Sequence, residues 1–131
     1  MGAQVGAQGL YASKPAPHPA RRKEDRVPEA WLRLCPQAAL AADRPIPVRH
    51  EGVAYAAFLL DGVPHVTHDI CTHGPGLLSD GDIEGEEVIC PFHQGRFHIP
   101  SGRPTGAPCT EPVRVFPARE IDGMLCIRAE P

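Results

Sequence analysis

The sequence predicts an all-β fold of antiparallel sheets, and three observations predict it. Proline and glycine are dense, 16 and 13 of 131 residues, which punctuates a chain into short segments joined by turns rather than long helices. The apolar runs are short, and several alternate apolar with polar side chains, the two-residue period of a half-buried strand. Asp61-Gly62 and Asp122-Gly123 each stand between two such runs, and Asp-Gly suits the positive φ angles of a tight hairpin turn.

Taken in order, residues 1–27 have little periodicity, with Pro15, Pro17 and Pro19 at alternate positions ahead of a mixed charge cluster. They read as a flexible tail, so the folded domain is expected over residues 28–131. Residues 31–35, WLRLC, alternate and stop at Pro36; Trp31 is expected in the core. PQAALAAD suits a single helical turn or a loop. PIPVRH reads as an edge strand, because proline cannot donate to a ladder. VAYAAFLL, Asp61-Gly62 and VPHVTH form a strong hairpin signal. VRVFPARE, Asp122-Gly123 and MLCIR form a second. Between the hairpins lies one large insertion.

Composition narrows the function classes. A net charge of −3 gives no reason to expect nucleic-acid binding. The charge is uneven: residues 1–27 carry five basic and two acidic side chains, net +3, and the remainder is net −6. No run approaches the roughly 18 apolar residues of a membrane span. Arg21-Arg22 is followed by KEDRVPEAWLRL rather than an apolar stretch, so export is not expected and the protein reads as cytoplasmic. Five cysteines, an odd number with two beside histidines, suit a metal site in a reducing compartment better than a disulfide scaffold.

The insertion holds CTHGPGLLSDGDIEGEEVICPFHQGRF, with Cys71 and His73 in one pair and Cys90 and His93 in another. Thiolate and neutral imidazole are the side chains that best hold soft and borderline metals. Each pair sits beside Gly or Pro, in loops whose backbone N–H groups can turn toward an anionic centre. Zinc accepts Cys₂His₂, but its structural sites usually keep the cysteines together and the histidines together. Here each loop supplies one of each, which suits two metal ions that divide the ligands by type. Cys71 and Cys90 on one iron, with His73 and His93 on the other, is the ligand set of a Rieske 2Fe–2S centre. A zinc-stabilised interaction module with the same four ligands stays open as the reading from another class.

The same segment resembles the cluster region of Rieske ferredoxins from bacterial aromatic-ring-hydroxylating dioxygenase systems, especially the naphthalene and anthranilate types. The resemblance covers roughly residues 30–129 and is carried by Cys71, His73, Gly74, Leu78, Gly81, Cys90, Pro91, His93, Gly95, Phe97 and Gly102. It implies a Rieske domain with a cluster-binding subdomain inserted between hairpins, and SGRPTGAP as a third loop covering the cluster. Respiratory-chain Rieske proteins carry an extra disulfide whose positions match Gly76 and Phe92, and a Ser and Tyr whose positions match Gly95 and Phe97. That bridge cannot form here, and without those hydroxyls the potential is expected at the low end, about −150 mV. Gly95 is also expected to hold a backbone angle that a side chain tolerates poorly. Oxygenase catalytic subunits share the motif, but only about forty residues follow His93 here, so no catalytic iron domain is expected.

The resemblance implies a one-electron carrier rather than an enzyme acting alone. A NAD(P)H-dependent flavoprotein reductase would supply the electron and a terminal ring-hydroxylating oxygenase would receive it; another acceptor or a redox-sensing role are the alternatives. The imidazole edges of His73 and His93 are expected near the surface as the exit route. Cys35, Cys109 and Cys126 lack a histidine at ligand spacing and read as packing or free thiols. His98 reads as a surface histidine, and His65 and His68 as solvated or capping. Asp80, Asp82, Glu84, Glu86 and Glu87 form an acidic set without an interspersed base, by default a solvated face and otherwise a docking surface for a basic partner.

Overall fold

A computed structural model describes residues 30–72, 74–92 and 94–128. The expected tail over residues 1–27 lies outside them. The described residues form strands β1 (Trp31–Pro36), β2 (Ile46–His50), β3 (Val53–Leu60), β4 (Val63–His68), β5 (Asp82–Glu84), β6 (Glu87–Ile89), β7 (Arg96–His98), β8 (Pro104–Gly106), β9 (Val115–Phe116), β10 (Ala118–Ile121) and β11 (Met124–Arg128). Short 3-10 turns cover Gln37–Ala39 and Leu78–Asp80. The strands make three antiparallel sheets, ordered β9-β4-β3-β2, β10-β11-β1 and β5-β6-β7-β8. The all-β expectation holds.

Turn chemistry sets the registers. Asp61 and Gly62 have φ of 51° and 80°, and Asp122 and Gly123 have 55° and 82°, the two positive angles a right-twisted hairpin requires. Leu60 consequently faces Val63, and Ile121 faces Met124. A third turn of the same kind, Glu51-Gly52 with φ of 51° and 83°, joins β2 to β3. Its first residue is Glu rather than Asp or Asn, so its dipeptide carries a weaker turn signal. Pro47 lies on β2, an edge strand of its sheet as expected. Pro64 lies in β4 beyond the reach of β9, which pairs only with Val66 and Thr67.

One expected strand divides in two. VRVFPARE breaks at exposed Pro117: β9 pairs with β4, whereas β10 pairs with β11. Proline has no N–H to donate, and the chain changes sheets at that residue. Trp31 also departs from expectation. It is only half-buried, with the Arg119 guanidinium 4.6 Å and the Arg128 guanidinium 5.8 Å from its ring centre, a cation–π stack at the edge of the fold rather than a core ring.

Strand β3 explains its own lack of alternation. Tyr55 and Ala57 belong to one buried cluster, with Leu40, Val48, Val66, Phe116, Leu125 and Ile127. Ala56 and Phe58 point the other way, into a second cluster with Leu78, Val88, Phe97, Ile99 and Val113. A strand covered on both faces reads as one apolar run. It is therefore the wall between the two cores, and residues 69–114 are built against one side of it. This insertion leaves after β4, contains the whole β5–β8 sheet, and returns as β9.

Candidate metal centre

The two cysteine loops close alike. The Cys71 N–H donates to the Gly76 carbonyl at 2.9 Å, and the Cys90 N–H donates to the Gly95 carbonyl at 2.7 Å. Each cysteine thus bonds back from the glycine five residues on. Both cysteines are buried while Thr72, Pro75, Pro91, Phe92 and Gln94 are exposed, so the sulfurs lie at the base of loops whose tips face water. His73 and His93, the other expected ligands, lie outside the described residues.

Hydrogen bonds anchor the first loop at its stem. Asp69, 2% exposed, accepts the Ser79 N–H and the Ser79 hydroxyl, each at 2.7 Å. Its own carbonyl accepts the Leu78 N–H at 2.7 Å, and Ile70 bridges Leu77. A buried carboxylate needs such donors. The second loop springs from β6 and ends in β7, with Gln94 in the left-handed region at φ 59°.

The loops interlock through glycine. A methyl group at Gly76 would lie 2.9 Å from Cys90 Sγ and 2.8 Å from Phe92 Cβ, both too close for a real side chain. A methyl at Gly74 would meet the Phe92 ring at 2.6 Å. Gly76 and Phe92 are the positions matched to the extra cysteines of respiratory-chain proteins, and they do face each other; here a ring lies over bare backbone instead. Gly95 is required for packing, not for a backbone angle as expected, since it is absent from the positive-φ residues and a side chain there would overlap Cys109 Sγ.

Cys109, expected as a packing residue or a free thiol, is a free cysteine buried in the core, and its place beside the site is what the sequence reading did not find. It joins Cys71 and Cys90 in the same buried cluster. Its place immediately after Ala107-Pro108, in a segment expected to cover the site, was the available signal. The covering segment itself shifts: residues 104–106 are strand β8, and residues 107–113 reach the site. Thr72 ties the two together, its hydroxyl donating to the Glu111 carbonyl at 2.8 Å.

Burial raises the Cys90 thiol to about 11, against a lowering contribution from the Phe92 N–H, which donates to Cys90 Sγ at 3.4 Å. Burial first, and then neighbouring Cys71, raise Cys109 to about 12. These thiols keep their protons at neutral pH unless a metal displaces them. Two thiols meeting in a dry pocket, with a backbone N–H aimed at one sulfur, fit the cysteine half of an iron–sulfur site.

The remaining candidates resolve as follows. Cys35 and Cys126 lie away from the site, and burial raises both. His98 Nε2 is 3.2 Å from Glu86 Oε1 and its Nδ1 is 2.7 Å from Ser101 Oγ. His68 is not merely solvated: its ring packs edge-on to Phe116 at 5.2 Å, and burial lowers its pKa. Burial lowers His65 as well. The acidic set gains bases across strands, with Arg96 bonding Glu84 at 2.9 Å and Glu87 at 3.2 Å.

Residues 30–117 match the Rieske [2Fe-2S] domain family. The chain is 41% identical over 90 residues to the anthranilate 1,2-dioxygenase ferredoxin subunit of Burkholderia cepacia, covering 69% of this chain and 75% of that protein. Its structure superposes on the Sphingomonas yanoikuyae B1 ferredoxin with a TM-score of 0.72 and 39% identity, over 76% of this chain and 98% of that one. A ferredoxin in a complex of reduced oxygenase and oxidized ferredoxin in carbazole 1,9a-dioxygenase gives the same TM-score of 0.72 at 31% identity, over 79% of this chain and 96% of that one.

Proposed function

Because this chain belongs to the Rieske 2Fe–2S domain family, and carries that cluster rather than a catalytic site, we propose that it delivers electrons to a terminal aromatic-ring-hydroxylating oxygenase. When bound, the cluster takes up and releases one electron. Cys71 and Cys90 would hold one iron and His73 and His93 the other, with residues 28–131 as the domain. Two of the relatives named above are ferredoxins of dioxygenase systems, and one of these stands in a complex with oxygenase. The electron source would be a NAD(P)H-dependent flavoprotein reductase, in the cytoplasm. No helix of the described residues is long and apolar enough to cross a membrane.

The observation that carries this reading is the meeting of Cys71 and Cys90 at the base of two matching loops with exposed tips. A buried pair of sulfurs shields the centre from water. The apolar rim beside each sulfur, Ile70 at 56% and Phe92 at 37% exposed, can be covered by a partner at close approach, which electron transfer requires.

Purified full-length protein should contain about two irons and about two acid-labile sulfides per chain. Alanine at Cys71, His73, Cys90 or His93 should abolish that content, because the protein then lacks a ligand. The chemically reduced protein should be reoxidised by a ring-hydroxylating terminal oxygenase, and the oxidised protein reduced by a flavoprotein reductase with NAD(P)H. One zinc and no sulfide, or full iron retention in a ligand variant, would overturn the corresponding assignment.

A further inference from the structure

We infer that the groove between Val53, His68 and Ile70 receives an apolar side chain of the terminal oxygenase, extending the docking face beyond the cysteine loop tips. This rests on the reading above that the protein passes its electron to such an oxygenase. The exposed apolar side chains point there. Among the described residues, Val53, Val63, Ile70 and Phe92 are the large hydrophobic side chains left in water, at 37%, 52%, 56% and 37% exposed. Three of the four stand at the end that carries the cysteine loops. Ile70 precedes Cys71, Phe92 belongs to the second loop, and Val53 is brought to Ile70 by the sheet. Tyr55 pairs with His68, and the Asp69 N–H donates to the Ala54 carbonyl at 2.9 Å. The ladder therefore runs on past β4 and sets Val53 opposite Ile70.

The groove so formed is lined by Gly52, Val53, Ala54, His68 and Ile70 and has a volume of about 210 Å³. Small-molecule sites run to about 300–1,000 Å³, so this one suits a single side chain. Its floor is fixed before any partner arrives. The His68 ring packs edge-on to Phe116 at 5.2 Å and stands 6.4 Å from the Tyr55 ring, so little ordering cost is left for binding. The lining holds no carboxylate or guanidinium. Burial, then Arg114, lower the His68 pKa, which leaves its ring neutral at neutral pH. Glu51, next to Gly52, keeps its side chain 80% exposed at the rim. An apolar centre with a polar rim is the pattern of a protein interface. Continuity with the loop tips selects the electron acceptor as occupant, because an acceptor close to the cluster also covers Ile70. A relative's ferredoxin stands in just such a complex with oxygenase.

The test mixes reduced full-length holoprotein with a ring-hydroxylating terminal oxygenase. KM and the limiting rate of reoxidation are measured beside Kd from titration calorimetry. Val53→Ser and Ile70→Ser should raise KM and Kd roughly five- to thirtyfold, the scale of losing one interface anchor. The limiting rate and the midpoint potential should stay at wild type, since neither change removes a proposed ligand. Val53 lies outside the cysteine loops, so its variant decides the matter should Ile70→Ser lose iron. Val63→Ser is the control. It removes an exposed apolar side chain about 17 Å along β4 from His68 and should change nothing. Wild-type KM and Kd in Val53→Ser would overturn the inference. So would an equal loss in Val63→Ser, or a loss confined to the flavoprotein reductase. A wild-type protein that reduces no ring-hydroxylating terminal oxygenase would instead overturn the function on which the inference rests.

Discussion

Phe97 is fully buried in the same cluster as Cys71, Cys90 and Cys109, its strand paired with Val88 on one side and Pro104 on the other. If this position matches the Tyr of respiratory-chain proteins, Phe97→Tyr places a hydroxyl near a cluster sulfur without changing the shape of the ring. A charge-assisted bond is worth about 1.5–3 kcal/mol in total, but only its difference between redox states moves the potential. Taking about 1 kcal/mol for that difference gives a rise near 40 mV, since 59 mV corresponds to about 1.4 kcal/mol for one electron. Voltammetry against wild type checks it, and an unchanged or lower potential with the cluster intact would place the hydroxyl elsewhere. At Gly95 the constraint is the sulfur of Cys109. Gly95→Ala should therefore lose iron, and the double variant Gly95→Ala, Cys109→Ala should recover it, whereas a backbone-angle constraint would leave the double variant as poor as the single one. Residue identity pointed to the four proposed ligands, because Cys and His in close pairs have few other uses. It could not show that Cys109 packs against Gly95 and shares a cluster with Cys71 and Cys90, because these residues meet only in the fold.

At the scale of elements, turn residues and strand periods were legible wherever a segment answers to its own chemistry. Asp61-Gly62 and Asp122-Gly123 announce their turns, and the strands around them follow. The missed features are those decided by distant partners. Pro117 divides a strand because two different sheets claim its two halves. The β5–β8 sheet inside the insertion has strands of only three residues, too short to show a period. The stem of the first loop was equally hidden, since Asp69 lies outside the quoted segment and Ser79 is not among the residues that carry its resemblance. Asp69→Ala removes the acceptor for a backbone N–H and a hydroxyl, and leaving such groups unpaired costs about 1–3 kcal/mol. Urea unfolding should show the midpoint falling with its slope unchanged. A midpoint equal to wild type would mean that water replaces the carboxylate freely.

Across the whole molecule, two apolar cores share β3, and the proposed ligands Cys71 and Cys90 belong to one of them. The all-β class and the inserted position of the site could be read from the sequence, because hairpins and ligands are both local signals. The insertion's own sheet could not, and it changes what iron removal should do. Val88, Phe97 and Ile99 are buried among apolar side chains, whereas the exposed tips of the cysteine loops are expected to depend on ligation for order. In hydrogen exchange, apoprotein should lose protection at the Cys71 and Cys90 amides and keep it at Val88 and Phe97. Protection lost equally at all four would mean that the sheet also folds around the cluster.

The claim that two cysteines and two histidines hold the electron-carrying cluster is tested most directly by the midpoint potential as a function of pH. Imidazole on ferric iron gives up its second N–H proton more readily than imidazole on ferrous iron, because the higher charge stabilises the anion. Above the oxidised-state pKa values, reduction must take up protons, and the potential falls with rising pH by up to about 59 mV per unit for each proton. The expected result is a one-electron wave near about −150 mV at neutral pH that descends through the alkaline range. A potential that stays flat from about pH 7 to about pH 11 would contradict histidine ligation, and with it the whole assignment, since neutral imidazoles are what set a Rieske centre apart from an all-cysteine one.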